Sequence, residues 1–391
     1  MRFGILASHP IQYQSPWFRA LANRLDLHVF FAHRQTAQQQ AQADFGIEFE
    51  WDVDLHSGYE HTFLRNVSKK PSVNHFFGCD TPEITEIIEA GHFDGFILMG
   101  WFLKSYWQAV RACRRVGVPL LVRGDSQLLT PRSLIKQFAK KIIYPRVFRK
   151  FDIFLAVGKR STEYLRHYGV PSNRIFFAPH AVDNDRLATR ANKAQGRRTE
   201  MRYSWGVNDN TLVVLFVGKF IPIKRPSDIL YALTKLRTFG IPTVAIFVGA
   251  GELEPLLRAE ALSLGVRVNF AGFVNQSELP DYYAAADVLV LPSATETWGL
   301  VVNEAMACGL PAIVADSVGC APDLIEEGKT GFAYPTGDSA QLAQRLRELF
   351  EMKQTGYDFR PMLADKMREY SIAKAVAGTV KAVETLTQRD G

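Results

Sequence analysis

The chain has 391 residues, Lys+Arg 46 against Asp+Glu 40 for a net charge of +6, 47% hydrophobic residues and four cysteines. That length predicts two or three domains, and a charged content of 22% excludes wholesale disorder. The scattered cysteines (Cys79, Cys113, Cys308, Cys320) contain no C-x-x-C pair, which leaves neither a disulfide scaffold nor a zinc ribbon to read; reduced core thiols are expected.

Taken in order, the chain opens with Phe3–Ala7, an apolar run too short for an export signal, before Ser8, His9 and Pro10 intervene. No stretch approaches about eighteen consecutive apolar residues, so the expected place is the cytoplasm, free or peripheral on the inner face of the membrane. Phe3–Ala7, Leu27–Phe31, Asp94–Met99, Pro119–Arg123, Asp152–Val157 and Ile175–Ala178 read as buried strands. Helical stretches at Ser15–Arg24, Leu103–Val116 and Arg132–Lys150 lie between them. The second half repeats the alternation, with strands at Thr211–Val217, Thr243–Val248, Val266–Ala271, Asp287–Leu291 and Pro311–Ala315. Continuous apolar strands separated by helices predict parallel sheets covered on both faces, hence two doubly wound Rossmann-like α/β domains. The first domain is expected at 1–183 and the second at 200–370. Residues 184–199, charged and without apolar periodicity, read as a linker, and 371–391 as a final helix that packs back across the domains.

Residues 1–190 hold 25 Lys+Arg against 17 Asp+Glu, whereas the remainder holds 21 against 23. Arg132–Lys150 concentrates the excess, with seven basic residues and no acid among Ile, Phe and Tyr. It reads either as a helix for an anionic membrane surface or as a solvated helix with its apolar side in the core; Pro145 interrupts the stripe. No nucleic-acid module accompanies the charge, so no nucleic-acid partner is expected.

Chemistry concentrates in residues 292–332. A strand ends in a small-residue turn; Glu296 follows, then Trp298-Gly299-Leu300 and a helix carrying Glu304. In open α/β sheets ligands bind beyond the carboxyl ends of strands, and a helix N-terminus offers backbone N–H groups to an anion. Two carboxylates beside an expected phosphate site suit gripping hydroxyls, as of a sugar diol. Capping and surface acid would account for Glu296 but poorly for Glu304. Upstream, Gly218 follows a strand, with Lys219 and Lys224 placed to neutralise a diphosphate. Gly249-Ala250-Gly251 lacks the third glycine of a dinucleotide fingerprint, so no nicotinamide site is expected.

Glu296 and Glu304-Ala305-Met306-Ala307-Cys308-Gly309, a Glu, seven residues, and a second Glu opening an Ala-Met-Ala-x-Gly run, closely resemble the signature of the retaining family 4 (group 1) glycosyltransferases. The likeness runs through about residues 210–335. It implies the two-domain GT-B fold and a retaining transferase moving a sugar from a UDP- or GDP-sugar to a hydroxyl of a glycan or lipid-linked acceptor in cell-surface polysaccharide assembly. Neither a metal nor another cofactor is implied. Glu304 would bind the donor ribose and Glu296 the donor sugar; the Gly299-Leu300 backbone and Gly218 would meet the diphosphate that Lys219 and Lys224 neutralise. Gly272-Phe273-Val274 resembles the family's base-binding turn. Lys219 stands where arginine is commoner and Arg225 where glycine is common. In the first domain the resemblance is weaker: His9, after the first strand, and Asp125, where members often have a histidine, are the candidates for positioning the reacting sugar. Rival readings of the same layout are a GT-B-like epimerase or phosphorylase and a non-catalytic nucleotide-sugar-binding subunit. Asp52-Val53-Asp54 imitates the metal-binding D-x-D of the other major transferase fold and reads as surface acid.

Overall fold

Short runs of β-branched, leucine and phenylalanine residues become strands buried on both faces in a computed structural model, which describes residues 1–35 and 51–387. The described residues fall into two units, one from 1–35, 54–180 and 372–387, the other from 51–53 and 181–371.

The first unit holds a seven-stranded sheet: β1 (Arg2–Ala7), β2 (Asp26–Phe31), β3 (Glu60–Phe63), β4 (Gly95–Leu98), β5 (Leu120–Gly124), β6 (Ile153–Ala156) and β7 (Ile175–Phe177). Their order is β3-β2-β1-β4-β5-β6-β7 and every pairing is parallel, with Phe3 opposite Leu27 on one side and Gly95 on the other. Alternate side chains serve opposite layers, as the two-residue strand period requires. Phe3, Ile5, Val29, Ile97, Leu121 and Ile153 pack in one core, while Leu6, Phe30, Phe96, Leu98, Leu120 and Phe154 pack in the other.

The second unit holds six strands, β8 (Leu212–Val217), β9 (Thr243–Val248), β10 (Val268–Gly272), β11 (Val288–Leu291), β12 (Ala312–Ala315) and β13 (Gly331–Tyr334), ordered β10-β9-β8-β11-β12-β13 and again all parallel. In each sheet the winding reverses beside the first strand, at β1/β4 and at β8/β11. In open α/β sheets such a reversal, outside the carboxyl ends of the strands, is where a ligand crevice is expected.

One stretch differs from the sequence reading. Residues 184–199, expected as a linker, are helical: α6 (Asn184–Ala194) is capped by the Asp183 carboxylate accepting from Arg186 N–H, and it buries Leu187, Ala191 and Ala194. Three small or aliphatic side chains on one face suffice for docking, but they are too sparse among charges to show as a periodic stripe. Residues 360–369 form α14 (Arg360–Glu369), and the last helix, α15 (Ile372–Thr387), belongs to the first unit. There Ala375, Val376, Ala382 and Val383 join the layer built on Phe3 and Ile5. The four cysteines are buried and form no disulfide. Among the described residues no helix is long and apolar enough to cross a membrane.

Candidate active site

The crevice at β8/β11 of the second unit is lined by two loops that hold each other. From β8 the chain runs through Gly218 and Lys219 into a short 3-10 turn, Pro222–Lys224. From β11 it runs through 292–299 into α11 (Leu300–Ala307). Ala294 N–H donates to Ile223 O at 2.8 Å, and Lys224 Nζ donates to Glu296 Oε2. This ion pair is only partly exposed, which makes it worth more than a surface pair. It brings together an ammonium group and a carboxylate that stand 72 positions apart in sequence.

Each loop is also braced from outside. Behind the β8 loop, Phe220 N–H donates to Ala250 O at 2.9 Å and Leu253 N–H to Phe220 O at 3.0 Å. The two backbones approach so closely that a Cβ at Gly249 would lie 2.0 Å from Gly218 O. The Gly249-Ala250-Gly251 pattern is therefore a packing device for the β8 loop. The β11 loop is laced to 318–320, with Gly319 N–H donating to Glu296 O and Cys320 N–H to Trp298 O, both at 2.9 Å. Trp298 is buried and its indole N–H donates to Asn303 Oδ1 at 2.8 Å. Gly299, at φ +99°, takes the left-handed N-cap position that starts α11, which glycine adopts without Cβ strain. The first amides of α11, from Leu300 onward, thus open beside Glu296, and no acid stands in that first turn.

Arg225 adopts φ +51°, a left-handed backbone that explains why glycine suits this position. Its strain is offset by a bidentate pair with the buried Asp228 at 2.8 and 2.9 Å. Lys219 is half-buried just beyond Gly218.

Glu304 lies on α11, buried. Tyr283 OH donates to its Oε2 at 2.7 Å and Gln276 Nε2 reaches its Oε1 at 3.5 Å. Burial pushes the carboxyl above its ordinary range, while those two hydrogen bonds and the Arg186 charge pull it back. Gln276 stands two residues beyond Gly272-Phe273-Val274, so its hydrogen bond ties the segment after β10 to Glu304. Gly272 itself takes φ +73°. Tyr283, Gln276 and Arg186 were not singled out from sequence. Arg186 sits in the stretch read as a linker, and Tyr283 looks like an ordinary core aromatic. The Glu304 hydrogen bonds thus serve the β10 side of the crevice and the Lys224–Glu296 pair its β8/β11 side.

In the first unit the candidates have different neighbours. Asp125, just after β5, lies 3.8 Å from the Nε2 of His180, a buried residue beyond β7. The His180 ring also meets Tyr13 edge-on at 5.6 Å. Burial, then the Arg123 charge, lowers the His180 pKa, and Asp125 opposes them. Arg123 is itself buried, donates to Pro179 O at 2.9 Å and lies over the Trp17 ring. His180 was missed because a single histidine after a short strand carries no pattern. Asp54 pairs with Arg19 in this unit, whereas Asp52 belongs to the second unit and accepts there from Ser277 N–H at 3.0 Å.

His9 has Ser8 Oγ 3.0 Å from its Nδ1 and His33 nearby; burial and that second ring lower its pKa from 6.5 to about 4. The folded value is depressed, so the native state binds fewer protons than the unfolded chain between pH 6.5 and about 4. The stabilising effect is complete above pH 6.5 and lost as pH falls through about 4. His9→Gln should therefore make denaturant unfolding less acid-sensitive, sparing on the order of 2–3 kcal/mol between pH 7 and 4.

Comparisons with known proteins bear on the family and the fold. Residues 197–373 match the family model described as glycosyl transferases group 1. A D-inositol 3-phosphate glycosyltransferase of Streptomyces bingchenggensis is 30% identical over 267 residues, covering 64% of this chain and 56% of the relative. One from Geodermatophilus obscurus is 31% identical over 275 residues, covering 66% and 57%. The chain thus spans little more than half the length of these curated relatives. Among solved structures, a glycosyltransferase from Rickettsia africae superposes with a TM-score of 0.75 at 14% identity, covering 99% of this chain and 98% of that one. Anabaena HepE in complex with UDP gives 0.74 at 18%, covering 98% and 100%. These neighbours share the fold, which is GT-B.

Proposed function

We propose that this chain, whose residues 197–373 match glycosyl transferases group 1, is a retaining glycosyltransferase that uses a nucleotide-diphosphate sugar and a hydroxyl acceptor. The observation that carries the reading is the Lys224–Glu296 pair spanning the β8/β11 crevice, beside the opening amides of α11. An ammonium group already held at that rim, with Lys219 close in sequence, suits the charge that develops on a departing diphosphate. Glu296 is placed to exchange its lysine partner for a donor-sugar hydroxyl, and Glu304 to accept from a ribose hydroxyl. In the reaction the bond between the sugar C1 and the diphosphate oxygen breaks, and a bond from C1 to the acceptor oxygen forms on the same face. The acceptor's proton leaves with the diphosphate. This route needs no side-chain nucleophile, and the two lysines take the charge a metal would otherwise carry. Asp125, His180 and His9 are the first unit's candidates for contacting a sugar hydroxyl. The acceptor is a glycan or a lipid-linked glycan.

Anabaena HepE has been solved with UDP and with UDP-glucose, which recommends uridine compounds as first probes and guanosine compounds as second. A cognate nucleoside diphosphate at a hundred times its dissociation constant should add about 2.7 kcal/mol of stability, read as a thermal shift. Release of nucleoside diphosphate coupled to glycosylated product, undiminished by EDTA and with the donor's anomeric configuration kept in the product, supports the proposal. Donor binding without release would instead make the chain a nucleotide-sugar-binding subunit.

A further inference from the structure

The basic segment after β5 carries five of its apolar side chains outward. Helix α4 (Leu134–Phe148) starts at Ser133, whose hydroxyl accepts from Lys136 N–H, and continues through Pro145 to its last residues. Proline removes one backbone donor near the carboxyl end, and only one further turn remains to be lost. Tyr144, Val147 and Phe148 face inward, against the layer built on Phe96 and Phe154. The other side is open: Leu134 is 81% exposed, Ile135 82% and Phe138 68%, with Ile142 and Ile143 also exposed. Lys136 and Lys141 are exposed among them. Arg132, Lys136, Lys140, Ile143 and Tyr144 line a groove of about 460 Å³ along one edge. An amphipathic helix normally turns such a row into the core; here the core side is supplied by the second half of the helix alone.

We propose that this face docks on an anionic lipid bilayer, with Leu134, Ile135 and Phe138 entering the acyl boundary. Lys136, Lys140 and Lys141 would lie at headgroup level, and the groove would hold a lipid phosphate. Charge decides the occupant. Residues 132–150 contain seven basic residues and no acid, so a second copy meeting the same face would set like charges against each other. An anionic bilayer complements them and accepts the exposed apolar row.

The test is flotation of the full chain with phosphatidylcholine vesicles, with and without phosphatidylglycerol. Binding is expected only with phosphatidylglycerol and should weaken with salt. Ile135→Ser with Phe138→Ser should lower the partition coefficient at least tenfold, and Lys136→Gln with Lys141→Gln by about thirtyfold. These positions are exposed, so unchanged thermal unfolding serves as the folding control. Equal binding to pure phosphatidylcholine, or unchanged binding in both variants, overturns the proposal. So does a dimer that binds no vesicles and dissociates on Phe138→Ser, which would assign the face to a second copy. Flotation reads no sugar transfer, so its failure leaves the proposed activity standing.

Discussion

Lys224→Ala should lower kcat ten- to a hundredfold while leaving the fold intact. A charge-assisted contact is worth roughly 1.5–3 kcal/mol, and one that strengthens as the diphosphate departs is expressed in kcat rather than in KM. The partner Glu296 supplies the control. Were Lys224 present only to tie the β8 loop to the β11 loop, Glu296→Gln would break the same ion pair and give the same kinetics. On the proposed role the two differ: Lys224→Ala loses leaving-group stabilisation, whereas Glu296→Gln keeps the ammonium and chiefly weakens the grip on the sugar. Lys224→Arg should restore part of the rate, because the charge returns with a different shape. Near-wild-type turnover in Lys224→Ala, measured as nucleoside diphosphate release with acceptor present, would remove the assignment.

Glu304 is expected to act on donor binding. Glu304→Gln keeps the side chain's size and still offers an oxygen to Tyr283 OH, so the buried hydrogen bond survives. It should raise the donor KM at least tenfold, in line with the loss of one hydrogen bond to a charged group. Glu304→Ala would also strand Tyr283 and Gln276, which mixes destabilisation with lost binding. A pH profile separates the two effects. Burial raises the carboxyl's pKa, so donor affinity should fall on acidification at a pH above the ordinary carboxylate range. The Glu304→Gln variant should lack that limb. A profile identical in the wild type and the variant would show that Glu304 is not the titrating group.

The alternating strands and helices were legible because both sheets are buried on two faces, which writes them as unbroken apolar runs such as 212–217. The edge strands β3 and β13 were not read. β3 is Glu60-His61-Thr62-Phe63 with every residue at least partly exposed, and β13 is only four residues long and opens on a glycine. Spacing pointed to the candidate acids and lysines, since they stand in the loops and helix start that follow β8 and β11. It could not show that Lys224 and Glu296 meet, because their pairing depends on the order in which strands assemble. Tyr283 and Gln276 were hidden for the same reason: they reach Glu304 from the segment between β10 and β11. The outward face of α4 was hidden too. Periodicity shows that a helix has an apolar side without showing which way that side turns.

The closing helix α15 adds a constraint on biosynthesis. Its Ala375, Val376, Ala382 and Val383 complete a layer whose other members begin at Phe3, and a Cβ at Gly378 would lie 1.8 Å from Phe177 O. A ribosome making this polypeptide therefore releases the entire second lobe before the first can seal its hydrophobic interior. A stop codon just ahead of Ile372 would leave the start of the protein, not its end, as the part exposed to proteases and chaperones.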